Sequence, residues 1–291
     1  KNKIKQAGAS VFLIILVLFD LISINKKYVN QDDFKSTKKI EIPFIASEAD
    51  KLILKDKAHF RVGNFTINPM NDGSTSYFHQ SIGGYHAAKM MRYQELYDYQ
   101  IAKNNREVLN MLNTKYFIIG TDKGEKKAQL NPEANGNAWF VKRIQVVNSA
   151  NEAIFALDTL NTKTVAVLES VPDILNDYES LFNIDALSSI KLLNYDVASL
   201  TYLSKTVRDQ FAVFSEIYYE DGWNAYVDGK LVPHYRVNYV LRGMIIPKGE
   251  HTIEFKFEPK VIQRGKIISL FSYLLLIGLP LIWFFITKNK K

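Results

Sequence analysis

Ile267–Ile286 (IISLFSYLLLIGLPLIWFFI) is a run of 20 residues without a charge. A bilayer core about 30 Å thick takes roughly 20 apolar residues in a helix. Gly278 and Pro280 are tolerated in such helices because neighbouring groups satisfy the freed backbone. The run predicts a membrane span over 267–286. Trp283 suits an interfacial belt, and Lys288, Lys290 and Lys291 form a cytoplasmic anchor. Everything just before Ile267 must then fold at a bilayer surface.

A second apolar run lies at the other end. Ala7–Ile24 is 18 residues, apolar except for Asp20. It is read as a span over 7–24. A signal peptide also combines a basic start with an apolar middle, but no small-x-small cleavage site follows this run. Asp20 has two readings. It is a functional carboxylate inside the membrane, or it lies near the interface and caps or pairs with Lys26 or Lys27. The chain opens on Lys1 and not Met, which points to a fragment or a processed product. Two spans place both termini on one side, and the outer lysines make that side the cytoplasm. Residues 28–263 are then periplasmic or extracellular, at a bacterial inner membrane.

Composition removes several function classes. The chain has no cysteine, so disulfides, Cys-ligated zinc and thiol chemistry are excluded. The net charge of +7 suggests nucleic acid, but ten of the basic residues flank the two apolar runs. Without those ten and Asp20, 27 basic residues face 29 acidic ones, so the middle of the chain carries no basic groove. No phosphate-cradling glycine loop, zinc-protease helix motif or nucleophile elbow occurs.

Between the runs the pattern changes twice. Residues 25–57 read as a polar linker with a short helix at Ser47–Leu54. Residues 58–170 alternate strands with short helices, which predicts a small α/β domain. Residues 171–263, opening on a linker with Pro172, read as a β-sandwich-like domain with one half-buried antiparallel face. In it Asp228-Gly229 is a strong two-residue hairpin turn, and Pro247–Glu250, with Gly249, is a second turn. Ile253, Phe255 and Phe257 share one face of the last strand. The expected class is thus α+β and membrane-anchored, with two membrane helices bracketing two extracytoplasmic domains.

Two clusters are candidates for binding. Asp72, His79, Tyr85, His86 and Arg92 concentrate polar and aromatic groups in a loop-rich stretch with no periodic reason to be there. Arg92 suits a phosphate. Turn and helix-start roles explain the same residues structurally, and the His79–His86 spacing matches no metal site. In the β region Trp223 could stack a sugar or pack a core. Glu216 and Arg242 read as a buried ion pair across strands, and Asp228, Gly229 and Gly249 as structural.

The string S-E-x-Y-Y…G-W-x-A-x-V-D-G-K…R-V-N-Y-V-L-R…P-x-G-x-H-T-I-E-F, from Ser215 through Trp223, Asp228, Asn238 and Arg242 to His251, resembles the C-terminal region of bacterial YfhO-type membrane proteins. Asn68–Tyr93 and Val108–Ile119 resemble the same family. The family is similar to multi-spanning C-type glycosyltransferases that use polyprenyl-phosphate-linked sugars. The resemblance implies an N-terminal transmembrane bundle as a partner within the same protein. It also implies a non-catalytic accessory role for this portion, which carries no cofactor and positions lipid-linked donor or envelope glycan acceptor. A non-enzymatic envelope protein that binds glycan or a protein partner is the alternative.

Overall fold

A computed structural model describes residues 2–34, 36–169 and 187–288. The expected linker at Pro172 and the final lysines, Lys290 and Lys291, lie outside them. The chain divides into two compact units, Lys1–Ala46 and Ser47–Lys291.

The first unit is helix α1 (Asn2–Tyr28), a 3-10 turn capped by Asn30 (Gln31–Asp33) and helix α2 (Thr37–Glu41). The apolar side chains of α1 between Val11 and Ile24 are exposed. The helix is long and apolar enough to cross a membrane.

In the second unit, Ser47 closes a capping box with Asp50 at the start of α3 (Glu48–Ile53). There follow β1 (Arg61–Asn64), α4 (Ser74–Phe78), α5 (Met91–Leu96), a π-helix (Tyr97–Ile101) and α6 (Arg106–Met111). Next come β2 (Thr114–Gly120), β3 (Lys126–Leu130), β4 (Ala138–Val141), β5 (Arg143–Val146), α7 (Ala150–Ala156) and β6 (Val165–Leu168). Beyond the gap lie β7 (Ser189–Asp196), β8 (Ser199–Thr206), β9 (Gln210–Ile217), β10 (Trp223–Val227), β11 (Lys230–Val232), β12 (Tyr235–Val237), β13 (Leu241–Ile246), β14 (Gly249–Phe257) and α8 (Lys260–Lys288). At 29 residues α8 is about 43 Å long, more than a hydrocarbon core needs.

The strands form three sheets, ordered β1-β2-β3, β11-β10-β14-β8-β7 and β4-β9-β13-β12-β6-β5. The break expected at 170–171 does not divide the sheets. Strands β4, β5 and β6 come from before it and join β9, β12 and β13 from after it. The two larger sheets bury a common cluster. Phe140, Phe214, Met244 and Ile246 come from the six-stranded sheet, and Leu200, Tyr202, Ile253 and Phe255 from the five-stranded one. The other face of the six-stranded sheet packs on the π-helix, α6 and α7 through a larger cluster that includes Ile101, Leu109, Ile154, Phe211 and Leu241. Strand β9 is therefore buried on both faces, where the sequence suggested one. Its run of apolar residues is what two covered faces require. Strand β14 keeps the one-sided alternation, with Ile253 and Phe255 buried and Phe257 partly exposed.

The β10–β11 turn is built as the sequence indicates. Asp228 and Gly229 have φ of 50° and 76°, and a glycine accepts that region without strain. Asp228 Oδ1 also accepts the Thr252 N–H at 2.9 Å, which ties the turn to β14.

Asn238 joins the strands that precede the gap to those that follow it. Its φ is 47°, its Oδ1 accepts the Val167 N–H at 2.8 Å, and its own N–H donates to the Val167 carbonyl at 2.9 Å. Asn238→Ala removes one of these bonds and puts alanine in the left-handed region. It should cost about 2–3 kcal/mol, read as a fall in the denaturant midpoint. An unchanged midpoint would show that the β6–β12 link carries no stability.

Candidate binding site

A groove of about 700 Å³ lies between the π-helix and the face of β2 and β3. Its floor is apolar: Phe65, Ile67, Leu109, Phe117 and Ile119. Its rim is polar, with Asn68, Asn104, Arg106 and Gln129. This volume and this mixture suit a small organic or saccharide ligand.

Local chemistry shapes each wall. The Ala102 N–H donates to the Tyr97 carbonyl at 2.8 Å, five residues back, which makes the π turn. Buried Gln100 holds that turn, donating to the Ile154 carbonyl and to Asp158 Oδ1, each at 2.8 Å. Asn105 then caps α6 and donates to Gln100 Oε1 at 2.7 Å. Opposite, the Asn68-Pro69 turn is locked by Gly83-Gly84. The Gly84 N–H reaches the Pro69 carbonyl at 2.6 Å, and a Cβ on Gly83 would lie 2.1 Å from that oxygen. Only glycine fits there. The Arg106 guanidinium lies 4.9 Å from the centre of the Phe117 ring, and Phe65 meets Phe117 edge-on at 5.7 Å. Arg61 and Arg92 pair with carboxylates. Exposed Arg106 has no carboxylate within ion-pair distance among the described residues, so its charge remains available to a ligand.

None of the residues expected to form a binding loop lines the groove. Asp72 Oδ1 accepts from the Ser74 N–H at 2.6 Å and from the Ser74 hydroxyl, which closes the turn before α4. That hydroxyl holds the Asp72 carboxyl below its usual range. His79 Nε2 lies 2.9 Å from Asp50 Oδ1, and its ring lines a smaller pocket of about 270 Å³ with His59 and Phe60. Tyr85 is 75% exposed. His86 Nδ1 accepts the Ala88 N–H at 3.0 Å. Nη1 and Nη2 of Arg92 both donate to Glu169, Nη2 at 2.9 Å, and the group lies over the Tyr239 ring at 4.8 Å. The fork expected to hold phosphate is thus occupied by a carboxylate of the same chain.

The expected Glu216–Arg242 pair is replaced by another. Leu241 pairs with Ile217 and Arg242 with Phe214, so a bulge passes over Ser215 and Glu216 and breaks their register with Arg242. Glu216 instead lies 3.5 Å from Arg61 and 3.4 Å from His59. Arg242 donates through Nε to the Ile217 carbonyl at 3.1 Å. Its guanidinium sits 4.2 Å from the Trp223 ring and 5.1 Å from Phe255. Burial lowers its pKa to about 10, against the pull of Glu216. That face of Trp223 is covered, and Phe257 lies 5.4 Å from the ring. Nearby, burial and the Arg242 charge lower His234 to about 4, so this imidazole is neutral at pH 7. Gly249, with φ of 126°, lies at the first position of β14.

No cluster of three or more His, Asp or Glu side chains suited to a metal occurs among the described residues.

Comparison with known proteins adds to this geometry. Residues 176–269 match the family model described as bacterial membrane protein YfhO. This is a YfhO-type region. It comprises the expected string from Ser215 to His251, whereas the strings at 68–93 and 108–119 and the groove lie outside it. A 98-residue stretch is 31% identical to the uncharacterized protein YfhO of Bacillus subtilis (strain 168). The aligned part is 34% of this chain and 11% of that relative. No solved structure matches.

Buried Glu216 makes a pH prediction. Burial raises its pKa, but the Arg61 charge, with His59 and Arg242, more than offsets this, so the net shift is downward. A carboxylate with a lower pKa folded than unfolded stabilises the fold fully above its unfolded value, about 4.3. That contribution disappears as pH falls through the folded value. Glu216→Gln should therefore be less stable at pH 7 by roughly 1–3 kcal/mol. Its deficit should shrink toward zero as denaturation is repeated at lower pH, down to about 3. A deficit independent of pH would show that the Glu216 charge is not what stabilises.

Proposed function

We propose that this chain is the C-terminal, extracytoplasmic accessory portion of a larger glycosyltransferase-like membrane protein. In this reading α1 and α8 span the bacterial inner membrane and residues 28–263 stand outside the cytoplasm. The portion positions a polyprenyl-phosphate-linked sugar donor or an envelope glycan acceptor and does not catalyse alone. The YfhO-type region and two helices of sufficient length support the membrane part of the reading.

The groove carries the binding part. Sugars present apolar C–H faces and a ring of hydroxyls. Phe65 and Phe117 offer aromatic surface to the first, and Asn68, Asn104 and Gln129 offer amides to the second. Arg106 adds one cation at the rim, suited to a phosphate or carboxylate on the ligand.

Phe65 is partly exposed and Arg106 exposed, so both can be changed without opening the core. In the full-length protein, Phe65→Ala and Arg106→Gln should each lower sugar transfer per folded molecule about tenfold, with melting temperature unchanged. Full activity in both variants would end the groove assignment. Loss of glycan binding in a protein that transfers no sugar would support the non-enzymatic envelope reading.

Topology has its own test. A reporter inserted at Lys123, in the exposed β2–β3 turn, should report from outside the cytoplasm, and one after Lys291 from inside. A cytoplasmic signal at Lys123 would overturn the arrangement.

A further inference from the structure

The end of the five-stranded sheet from which α8 departs carries exposed apolar groups among its charged turn residues. Val197 and Ala198 form the tip between β7 and β8, and Val197 is 88% exposed. Valine offers a tight turn neither positive φ nor a side-chain hydrogen bond, so turn chemistry does not explain it. Tyr219 in the β9–β10 loop and Phe257 at the end of β14 add partly exposed aromatic surface, beside Trp223 at the start of β10.

These groups are fixed to one another and to the start of α8. The Phe257 N–H donates to the Ala198 carbonyl at 2.9 Å, and the Glu258 N–H to the Gly222 carbonyl at 2.7 Å. Glu258 accepts from Asn224 Nδ2 at 2.8 Å and from the Tyr226 hydroxyl at 2.6 Å. Helix α8 begins at Lys260, three residues after Phe257. Only residues 260–266 separate its start from the uncharged run, and seven helical residues rise about 10 Å. The headgroup layer on one side of a bilayer is about 5–8 Å deep. The rim therefore comes within about 5 Å of that layer, a gap that protruding side chains and a tilt of α8 can close.

We propose that this rim is a membrane-docking surface, with Val197 and Tyr219 inserted among the headgroups of a zwitterionic bilayer. This rests on the reading that α8 spans the membrane. Tyrosine and tryptophan favour such interfaces because one end is apolar and the other is wet. Charge balance selects the lipid. Lys256 is paired with Glu254, and the four carboxylates Asp196, Glu220, Asp221 and Glu258 outnumber the remaining cations of the first turns of α8, Lys260, Arg264 and Lys266, so anionic lipid gains no net attraction. Docking would fix the sheets relative to the bilayer, where a single tether at Lys260 would leave them free to swing.

The chain has no cysteine, so single labelling sites can be introduced cleanly. Val197→Cys, Lys248→Cys and Leu275→Cys would each carry an environment-sensitive fluorophore in phosphatidylcholine nanodiscs, with nitroxide quenchers at the headgroup or deep in the acyl chains. Lys248 lies in the turn before β14, at the opposite end of a strand about 27–30 Å long. Leu275 lies within the apolar run of α8. The label at 275 should be quenched by the deep nitroxide, and the label at 197 at least threefold more by the headgroup nitroxide than the label at 248. Equal quenching at 197 and 248, with 275 quenched, would overturn the docking rim and leave the span reading intact. A blue-shifted but unquenched label at 197 would mean a protein cover and would also overturn it. An unquenched 275 would overturn the span reading and the rim with it.

Discussion

Glu216 lies under the junction between the small sheet and the six-stranded one, and its charge has to be balanced there. Arg61, at the start of β1, sits 3.5 Å from it and also donates to the Leu112 and Ser215 carbonyls. His59 reaches the same carboxylate and stacks on Tyr195 at 3.7 Å, which draws the edge strand of the five-stranded sheet to the same place. One carboxylate thus touches groups from the segment before β1 and from β1 itself, with β7 stacked on its histidine. A buried ion pair gains little over an apolar pair, but losing one partner leaves an uncompensated charge. Such a junction fixes which pieces meet more than it adds net stability.

The same end of the intersheet core holds Arg242, whose guanidinium has aromatic rings where an acid would be expected. Trp223 and Phe255 supply cation–π contact, and Ile217 supplies one carbonyl. Arg242 Nη1, the Tyr202 hydroxyl and His234 Nε2 have no hydrogen-bond partner among the described residues. Burial pushes the tyrosine hydroxyl strongly up and the histidine down, so both stay neutral near the cation. This end of the core is polar, whereas the rest of that cluster is aliphatic and aromatic.

The groove and the rim around Val197 belong to different parts of this scaffold. The groove is built where short helices and a π turn meet the three-stranded sheet, on the part of the chain before the YfhO-type region. The rim is built within that region, on turns whose strands are locked into the two large sheets.

The sequence by itself determined the features that depend on local chemistry or on uninterrupted composition. The two apolar runs, the Asp228-Gly229 turn, the short helix after Ser47 and the alternation in β14 all follow from neighbours within a few residues. The family string was legible for the same reason. Tertiary structure alone decided what depends on distant partners. Strands β4, β5 and β6 look like part of a separate domain until their edges find β9 and β12. The bulge at Ser215–Glu216 exchanges Arg242 for Arg61, 155 residues away in sequence, as the partner of Glu216. Arg92 reads as a free phosphate ligand until folding brings Glu169 to it. The groove could not be read because its π turn rests on Gln100 meeting Ile154 and Asp158, and no local pattern announces that meeting. Hydrogen bonding and charge pairing act over a few ångströms in space, and only the folded chain sets which residues come within that reach.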